Sequence, residues 1–252
     1  MDTAVFSAAS LFHGDDSDDD RDKKQVDAEG QKQALEYVER AHDFPGMKLC
    51  VREFSCHELN ANLLWPGTFS FATWLVKNQS ILEGQRILEL GSGTGALAIF
   101  LRKSFGVDIT TSDYDDKEIE ENIAYNCRAN NLDVLPHIRH TWGDPFPVSR
   151  PDWDIVIASD ILLYVKQYEN LVKTLSFLLK EYKQNGQKTG CITITDKSGT
   201  QIPAKTPMFL MSWRRRIGKD QSLFFTGCET AGMQVQHLGD LVYLISIKEV
   251  RK

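Results

Sequence analysis

The stretch Glu89-Leu90-Gly91-Ser92-Gly93-Thr94-Gly95 constrains this chain more than any other. It ends a short apolar run, RILELG (Arg86–Gly91), and leads into TGALAIFLRKSF. The run reads as a buried strand and its sequel as a helix. Glycines at such a junction let the backbone turn tightly and let a ligand approach the main chain. The amides that open the helix favour an anionic group. Asp113 ends the next strand, VDITTSD (Val107–Asp113), 22 residues after Gly91. A carboxylate so placed accepts hydrogen bonds from both hydroxyls of a ribose. The direct reading is a site for a nucleoside cofactor.

Two cofactor classes remain open on these residues. Gly91, Gly93 and Ala96 satisfy a dinucleotide fingerprint, which is weak evidence alone. Two features favour S-adenosylmethionine. The strand is preceded by 85 residues, whereas dinucleotide domains often begin with it. Glu89 also puts negative charge where a pyrophosphate would come close, yet where a sulfonium or ammonium group would be welcome.

The rest of the chain alternates. GMKLCVREFSCHELNANLLWPG suggests two extended segments, and QKQALEYVERA (Gln31–Ala41) a short helix before them. Thr68–Asn78 reads as a helix with Phe71, Trp74 and Leu75 on one face. A helix through KEIEENIAYNCRANN follows the second strand. His137–Trp142 is a third strand and Trp153–Asp160 a fourth, with the helix YENLVKTLSFLLKEY behind it. Gly190–Asp196 is expected as the fifth strand, then a helix near Leu223–Ala231, then a terminal hairpin from MQVQHLG and LVYLISI. Strands alternating with helices of this length imply an α/β fold: a Rossmann-like, doubly wound, mostly parallel seven-stranded sheet with an antiparallel C-terminal hairpin strand.

With 42% hydrophobic and 25% charged residues over 252, the composition is globular and suits one α/β domain. Charge is uneven. Residues 1–45 hold 12 acids and 5 bases, a net of −7; the remaining 23 acids and 24 bases give +1. GDDSDDDRDKK (Gly14–Lys24) repels itself and offers nothing to bury, so residues 1–30 are expected to be a disordered acidic tail. Residues 31–252 are expected to form the single domain, with an extension at about 44–80 over the cofactor site. The near-neutral body argues against a nucleic-acid partner. No apolar run is long enough to span a membrane, and the N-terminus lacks a secretory pattern. Five cysteines without dense spacing fit a reducing compartment, the cytoplasm or nucleus, and show no metal pattern. Nothing demands an oligomer, so a monomer is expected.

The glycine loop, the acidic strand end T-S-D and the Leu64-Trp65-Pro66-Gly67 ahead of them resemble class I, seven-β-strand methyltransferases, whose sheet a terminal antiparallel hairpin closes. T-W-G-D at Thr141–Asp144 and W-D-I-V-I-A-S-D-I-L-L at Trp153–Leu163 narrow the resemblance to methyltransferase family 16, over residues 50–248. That family includes protein-lysine and nicotinamide N-methyltransferase-like members. The resemblance implies S-adenosylmethionine as donor and S-adenosylhomocysteine as product. It implies that Trp65 lies against the cofactor and Trp142 beside the adenine. Gly91, Ser92 and Gly93 would wrap the methionine end, Asp113 would hold the ribose and Ser159 would line the adenosine pocket. Trp142 alone also reads as core.

Asp160 ends the fourth strand, where an open parallel sheet places its ligand crevice. By the resemblance it begins an acid-x-x-aromatic motif whose acid orients the accepting amine. Here the motif reads Asp160-Ile161-Leu162-Leu163, and Tyr164 follows one residue late. Asp160 also suits a helix N-cap before ILLYVKQ. Trp213-Arg214-Arg215-Arg216 reads as the solvated side of a helix, or as a clamp for an acidic substrate. His57 and His140 read as structural. The expected activity is N-methylation of a protein lysine or N-terminal amine. The alternatives are a small-molecule amine as acceptor, or a cofactor-binding interaction module without catalysis.

Overall fold

The computed structural model describes residues 36–55, 57, 60–183, 192–214 and 222–248. All lie in one compact unit that starts at Leu35. The expected acidic tail falls outside the described residues.

Seven strands form one sheet. Its parallel strands are β3 (Arg86–Leu90), β4 (Asp108–Asp113), β5 (His137–Arg139), β6 (Ile155–Ser159) and β9 (Met208–Ser212); β10 (Met233–Gly239) and β11 (Val242–Ile247) form the hairpin. The order is β10-β11-β9-β6-β3-β4-β5. Only β11 runs against its two neighbours. The chain starts in the middle of the sheet, works outward to β5, and returns to β6 on the other side of β3. The carboxyl ends of β3, β4 and β6 therefore flank a switch point, where such sheets open a crevice.

Both faces are covered at the centre, which is why β3, β6 and β9 are largely apolar runs rather than alternating ones. Ile87 faces the core shared with α1 (Pro66–Lys77), α2 (Ala96–Phe105) and α3 (Lys117–Ala129). Leu88 and Leu90 face the core shared with α4 (Tyr168–Lys180) and α5 (Ser222–Thr230). Glycine ends α2 where it must: Gly106 takes φ +65° and returns its amide to the Arg102 carbonyl at 3.0 Å. Asp116 opens α3 by accepting the Glu118 amide at 2.7 Å.

Two expectations fail. Tyr37–Ala41 are not helical; they belong to β1 (Tyr37–Phe44), paired with β2 (Met47–Phe54). Helical propensity gives way to a hairpin closed at Gly46 (φ +78°) and anchored by buried Phe44. The expected fifth strand is also misplaced. Among the described residues, Ile192–Thr195 (β7) pairs only with Gln201–Ala204 (β8) in a separate two-stranded sheet. Its place beside β6 is taken by Met208–Ser212, buried at all five positions. The deeper position goes to the run that can bury every side chain.

The hairpin is fixed by a row of asparagines. Asn122, Asn126 and Asn130 lie four apart along α3 and act as a substitute strand for the outer edge of β2. Asn130 exchanges two hydrogen bonds with the Cys50 backbone, at 3.0 and 2.7 Å. Asn126 Oδ1 accepts the Arg52 amide at 2.7 Å, and Asn122 Nδ2 donates to the Arg52 carbonyl at 3.0 Å. Asn126 Nδ2 also reaches the Thr94 carbonyl at 2.9 Å, so one buried side chain ties the hairpin to the glycine loop.

Candidate active site

The glycine loop has the backbone its sequence implies. Gly91, Gly93 and Gly95 all take positive φ, at +64°, +52° and +76°. A Cβ on Gly91 would stand 2.6 Å from Ile161 Cγ2 and 3.7 Å from Trp142 Cζ2. One on Gly93 would stand 3.4 Å from the Ala61 carbonyl oxygen. The loop thus gathers Trp142, the segment after β6, and the segment before α1. Ser92 Oγ accepts the Ser112 amide at 3.1 Å and lies 3.1 Å from the Glu89 carbonyl oxygen, joining the ends of β3 and β4.

Asp113 lies across the loop. Its Oδ2 accepts the Gly93 amide at 2.6 Å and its Oδ1 the Tyr114 amide at 2.7 Å. Burial pushes its pKa above the ordinary value, against these two amides and nearby His57, which favour the charge. His57 has partners that sequence reasoning missed: its Nε2 is 3.3 Å from Asp116 Oδ2, and the ring is almost wholly covered. No local pattern signalled that pairing, which joins residues 59 apart. His140 is structural, with Nε2 3.1 Å from the Asp144 carbonyl and its ring against Phe146.

Glu89 is 2% exposed and turned under α2. Its carboxyl faces the Ala98 amide and the Ser92 hydroxyl, both of which favour the charged form. The α2 N-cap, Gly95, has no side chain to offer, so Glu89 supplies the acceptor for the first turn from the preceding strand. Burial first, and the neighbouring Asp113 second, push its pKa up to about 8. Among the described residues its Oε2 has no hydrogen-bond partner.

Asp160 sits just past β6 with φ +53° and is 4% exposed. It does not cap the segment that follows, whose first helical turn starts only at Val165. Its Oδ2 accepts the Gly67 amide at 2.7 Å, so it caps α1 from 93 residues away. Gly67 is needed there: a Cβ would lie 2.5 Å from the Asp160 carboxyl. Beside it Thr68 Oγ1 and Ser159 Oγ are 3.0 Å apart. Gly67 and Thr68 are therefore site residues; the Leu-Trp-Pro-Gly motif pointed to their neighbourhood without revealing their partners. Trp65 is half-buried at the N-cap of α1, its Nε1 donating to the Asn60 carbonyl at 3.0 Å. Asn60 Nδ2 donates in turn to the hydroxyl of Tyr164.

Glu53, near the end of β2, holds this segment from behind. It accepts the Leu64 amide at 3.0 Å and pairs with Arg40 and His42. These partners hold its pKa below the ordinary value despite burial. Of the basic run after β9, Trp213 is buried and Arg214 exposed; Arg215 and Arg216 fall outside the described residues. No cluster of potential metal ligands occurs among the described residues.

A family model described as lysine methyltransferase matches residues 45–229. The chain belongs to that family. The match begins in the turn of the hairpin and ends in α5, so it takes in every site residue described above. A protein N-terminal and lysine N-methyltransferase of Aspergillus fumigatus is 27% identical over 154 residues, 56% of this chain and 59% of that protein. A histone-arginine methyltransferase of Xenopus laevis is 28% identical over 123 residues, 48% of this chain and 53% of that protein. The chain thus spans a little over half the length of these relatives. Among solved structures, a T. thermophilus 16S rRNA methyltransferase in complex with AdoMet and guanosine superposes with a TM-score of 0.55 at 14% identity, covering 84% of this chain and 51% of that one. That likeness is one of fold.

Proposed function

We propose that this lysine methyltransferase family member transfers a methyl group from S-adenosylmethionine to a nitrogen of a protein, a lysine side chain or an N-terminal amine. The single observation that carries the reading is the placing of Glu89. A dinucleotide would set its pyrophosphate against the first turn of the helix after the glycine loop. Here Glu89 already meets that turn through the Ala98 amide. A pyrophosphate there would push the raised pKa of Glu89 higher still, whereas an ammonium group would draw it down and pair with the ionised carboxyl.

The residues present suit an adenosyl-methionine ligand instead. The covered Glu89 Oε2 awaits a donor such as an ammonium group. The oxygens of Asp113 each accept one amide and retain a second lone pair for the ribose hydroxyls. Trp142 offers a flat apolar surface beside Gly91. When bound, S-adenosylmethionine supplies an electrophilic methyl group on a sulfonium.

The protein must then present a neutral nitrogen in line. A free lysine, with pKa near 10.4, is neutral in about one molecule in a few thousand at pH 7. A carboxylate beside it raises that pKa further. Asp160 therefore orients the amine rather than deprotonating it, and holding the reacting atoms in line supplies most of the rate. The free thiols Cys50, Cys127 and Cys228 suit work in the cytoplasm or nucleus.

The test is transfer of labelled methyl from S-adenosylmethionine to the proteins of a cell extract, with Asp160→Ala as control. Labelled protein, lost in the variant, is expected. Label on a free amine such as nicotinamide and on no protein would favour the small-molecule reading; binding without any transfer would favour the non-catalytic one.

A further inference from the structure

The three asparagines of α3 that meet the hairpin are not equivalent. Asn130 Nδ2 donates to the carbonyls of Cys50 and Asn126, at 2.7 and 2.8 Å. Asn122 meets Arg52, through its backbone carbonyl and its Nε. Asn126 divides its amide between two distant segments. Its Nδ2 donates to the Arg52 carbonyl at 3.2 Å and to the Thr94 carbonyl at 2.9 Å, while Oδ1 accepts the Arg52 amide at 2.7 Å. Both of its N–H bonds are thereby engaged. Asn126 and Thr94 are both buried, so the Thr94 carbonyl points into the protein, toward α3, and not into the crevice.

The peptide unit from Thr94 to Gly95 is held at both ends, since the Gly95 amide donates to the Ser92 carbonyl at 2.8 Å. Local sterics fix this unit only weakly. Gly93 and Gly95, on either side of Thr94, both take positive φ, and glycine accepts either sign of φ almost equally well. A helix interior is also a poor place for asparagine, whose side chain competes for the backbone. At a fully covered position of α3, Asn126 is accounted for by the two segments it joins.

We propose that Asn126 is a positioning residue for the cofactor: by fixing the peptide plane between Thr94 and Gly95, it sets the glycine loop to receive the methionine end. This rests on the methyltransferase reading above.

The probes are S-adenosylhomocysteine and 5′-methylthioadenosine, which keeps the nucleoside and the thioether but lacks the amino acid. Direct and competitive calorimetry compares them on the full chain and on Asn126→Ala, Asn126→Asp and Asn130→Ala. The aspartate keeps an acceptor for the Arg52 amide and loses the donor to Thr94. The Asn130 variant loses two bonds to the hairpin and leaves the glycine loop untouched. Both Asn126 variants are expected to weaken S-adenosylhomocysteine binding by about tenfold, the scale of one buried hydrogen bond, and methylthioadenosine binding by less than about threefold. Asn130→Ala is expected to keep both affinities within about twofold, although denaturant unfolding shows it destabilised. Equal losses for the two ligands in the Asn126 variants would mean a loosened fold and overturn the proposal. Undiminished S-adenosylhomocysteine binding in those variants, or the same loss in Asn130→Ala, overturns it too. So does failure of both Asn126 variants to fold where Asn130→Ala folds, which would assign Asn126 to the fold alone. A folded wild type that binds no S-adenosylhomocysteine instead defeats the methyltransferase reading itself.

Discussion

The two halves of this site are built by different means. The donor half (Glu89, the glycine loop and Asp113) comes from two adjacent parallel strands and the turns that end them. The acceptor half comes from segments 93 residues apart, where the carboxylate after β6 caps a helix that precedes the sheet. The first half is rigid because the sheet is rigid. The second is set by a few side-chain bonds: Asp160 to Gly67, Thr68 to Ser159, Asn60 to Tyr164. Damage to one half should therefore spare the other.

Asp113→Ala is expected to have the largest effect. It removes the clamp on the Gly93 amide and the carboxylate proposed to hold the ribose, and should weaken S-adenosylhomocysteine binding by at least about a hundredfold. Equilibrium titration measures this, and near-wild-type affinity would break the donor half of the comparison. Next comes Gly67→Ala. The added methyl would meet the Asp160 carboxyl, so we expect methyl transfer to fall on the order of tenfold to a hundredfold by misplacement, with cofactor affinity within a few-fold of wild type. Parallel losses in kcat and in cofactor binding would show that the halves are not separable.

Glu53→Gln tests what holds the acceptor half in place. The variant weakens the links to Arg40, His42 and the Leu64 amide and should cost about 1–3 kcal/mol by denaturant unfolding. Because the folded pKa of Glu53 is depressed, its contribution is present above the unfolded carboxyl pKa and fades as pH falls through the folded value. The gap between wild type and variant should therefore narrow in acid.

Glu89→Gln is the smallest effect and has the opposite sign. With a folded pKa raised to about 8, Glu89 binds its proton more tightly in the folded state than in the unfolded one. Stability then declines as pH rises from about 4.3, the unfolded value, to about 8. Removing the charge should raise the melting temperature by a few degrees at pH 8, each 1 kcal/mol being worth about 2–4 °C, and by little at pH 5. An equal change at both pH values would show that the carboxyl is not held neutral by its surroundings.

The contrast also explains what the sequence could show. The glycine loop, Asp113 and the element order around them are legible because local rules decide them: glycine where φ is positive, apolar runs where both faces are buried. Of the hairpin at 37–54 the second strand was legible as extended chain, but the first was hidden, because Tyr37–Ala41 carry helical propensity that only pairing with β2 overrides. Ile192–Thr195 carried strand character, but only tertiary packing could choose Met208–Ser212 for the place beside β6. Asp160 was found by position, while its bond to Gly67 was not, because a cap supplied from 93 residues away has no local signature.

The central claim is that this cleft is built for an adenosyl-methionine ligand, and its most direct test is competitive calorimetry of the folded chain with S-adenosylhomocysteine and with NAD. We expect saturable binding of S-adenosylhomocysteine, no measurable binding of NAD, and loss of the former in Asp113→Ala. Tighter binding of NAD than of S-adenosylhomocysteine would contradict the role assigned to Glu89 and the function built on it.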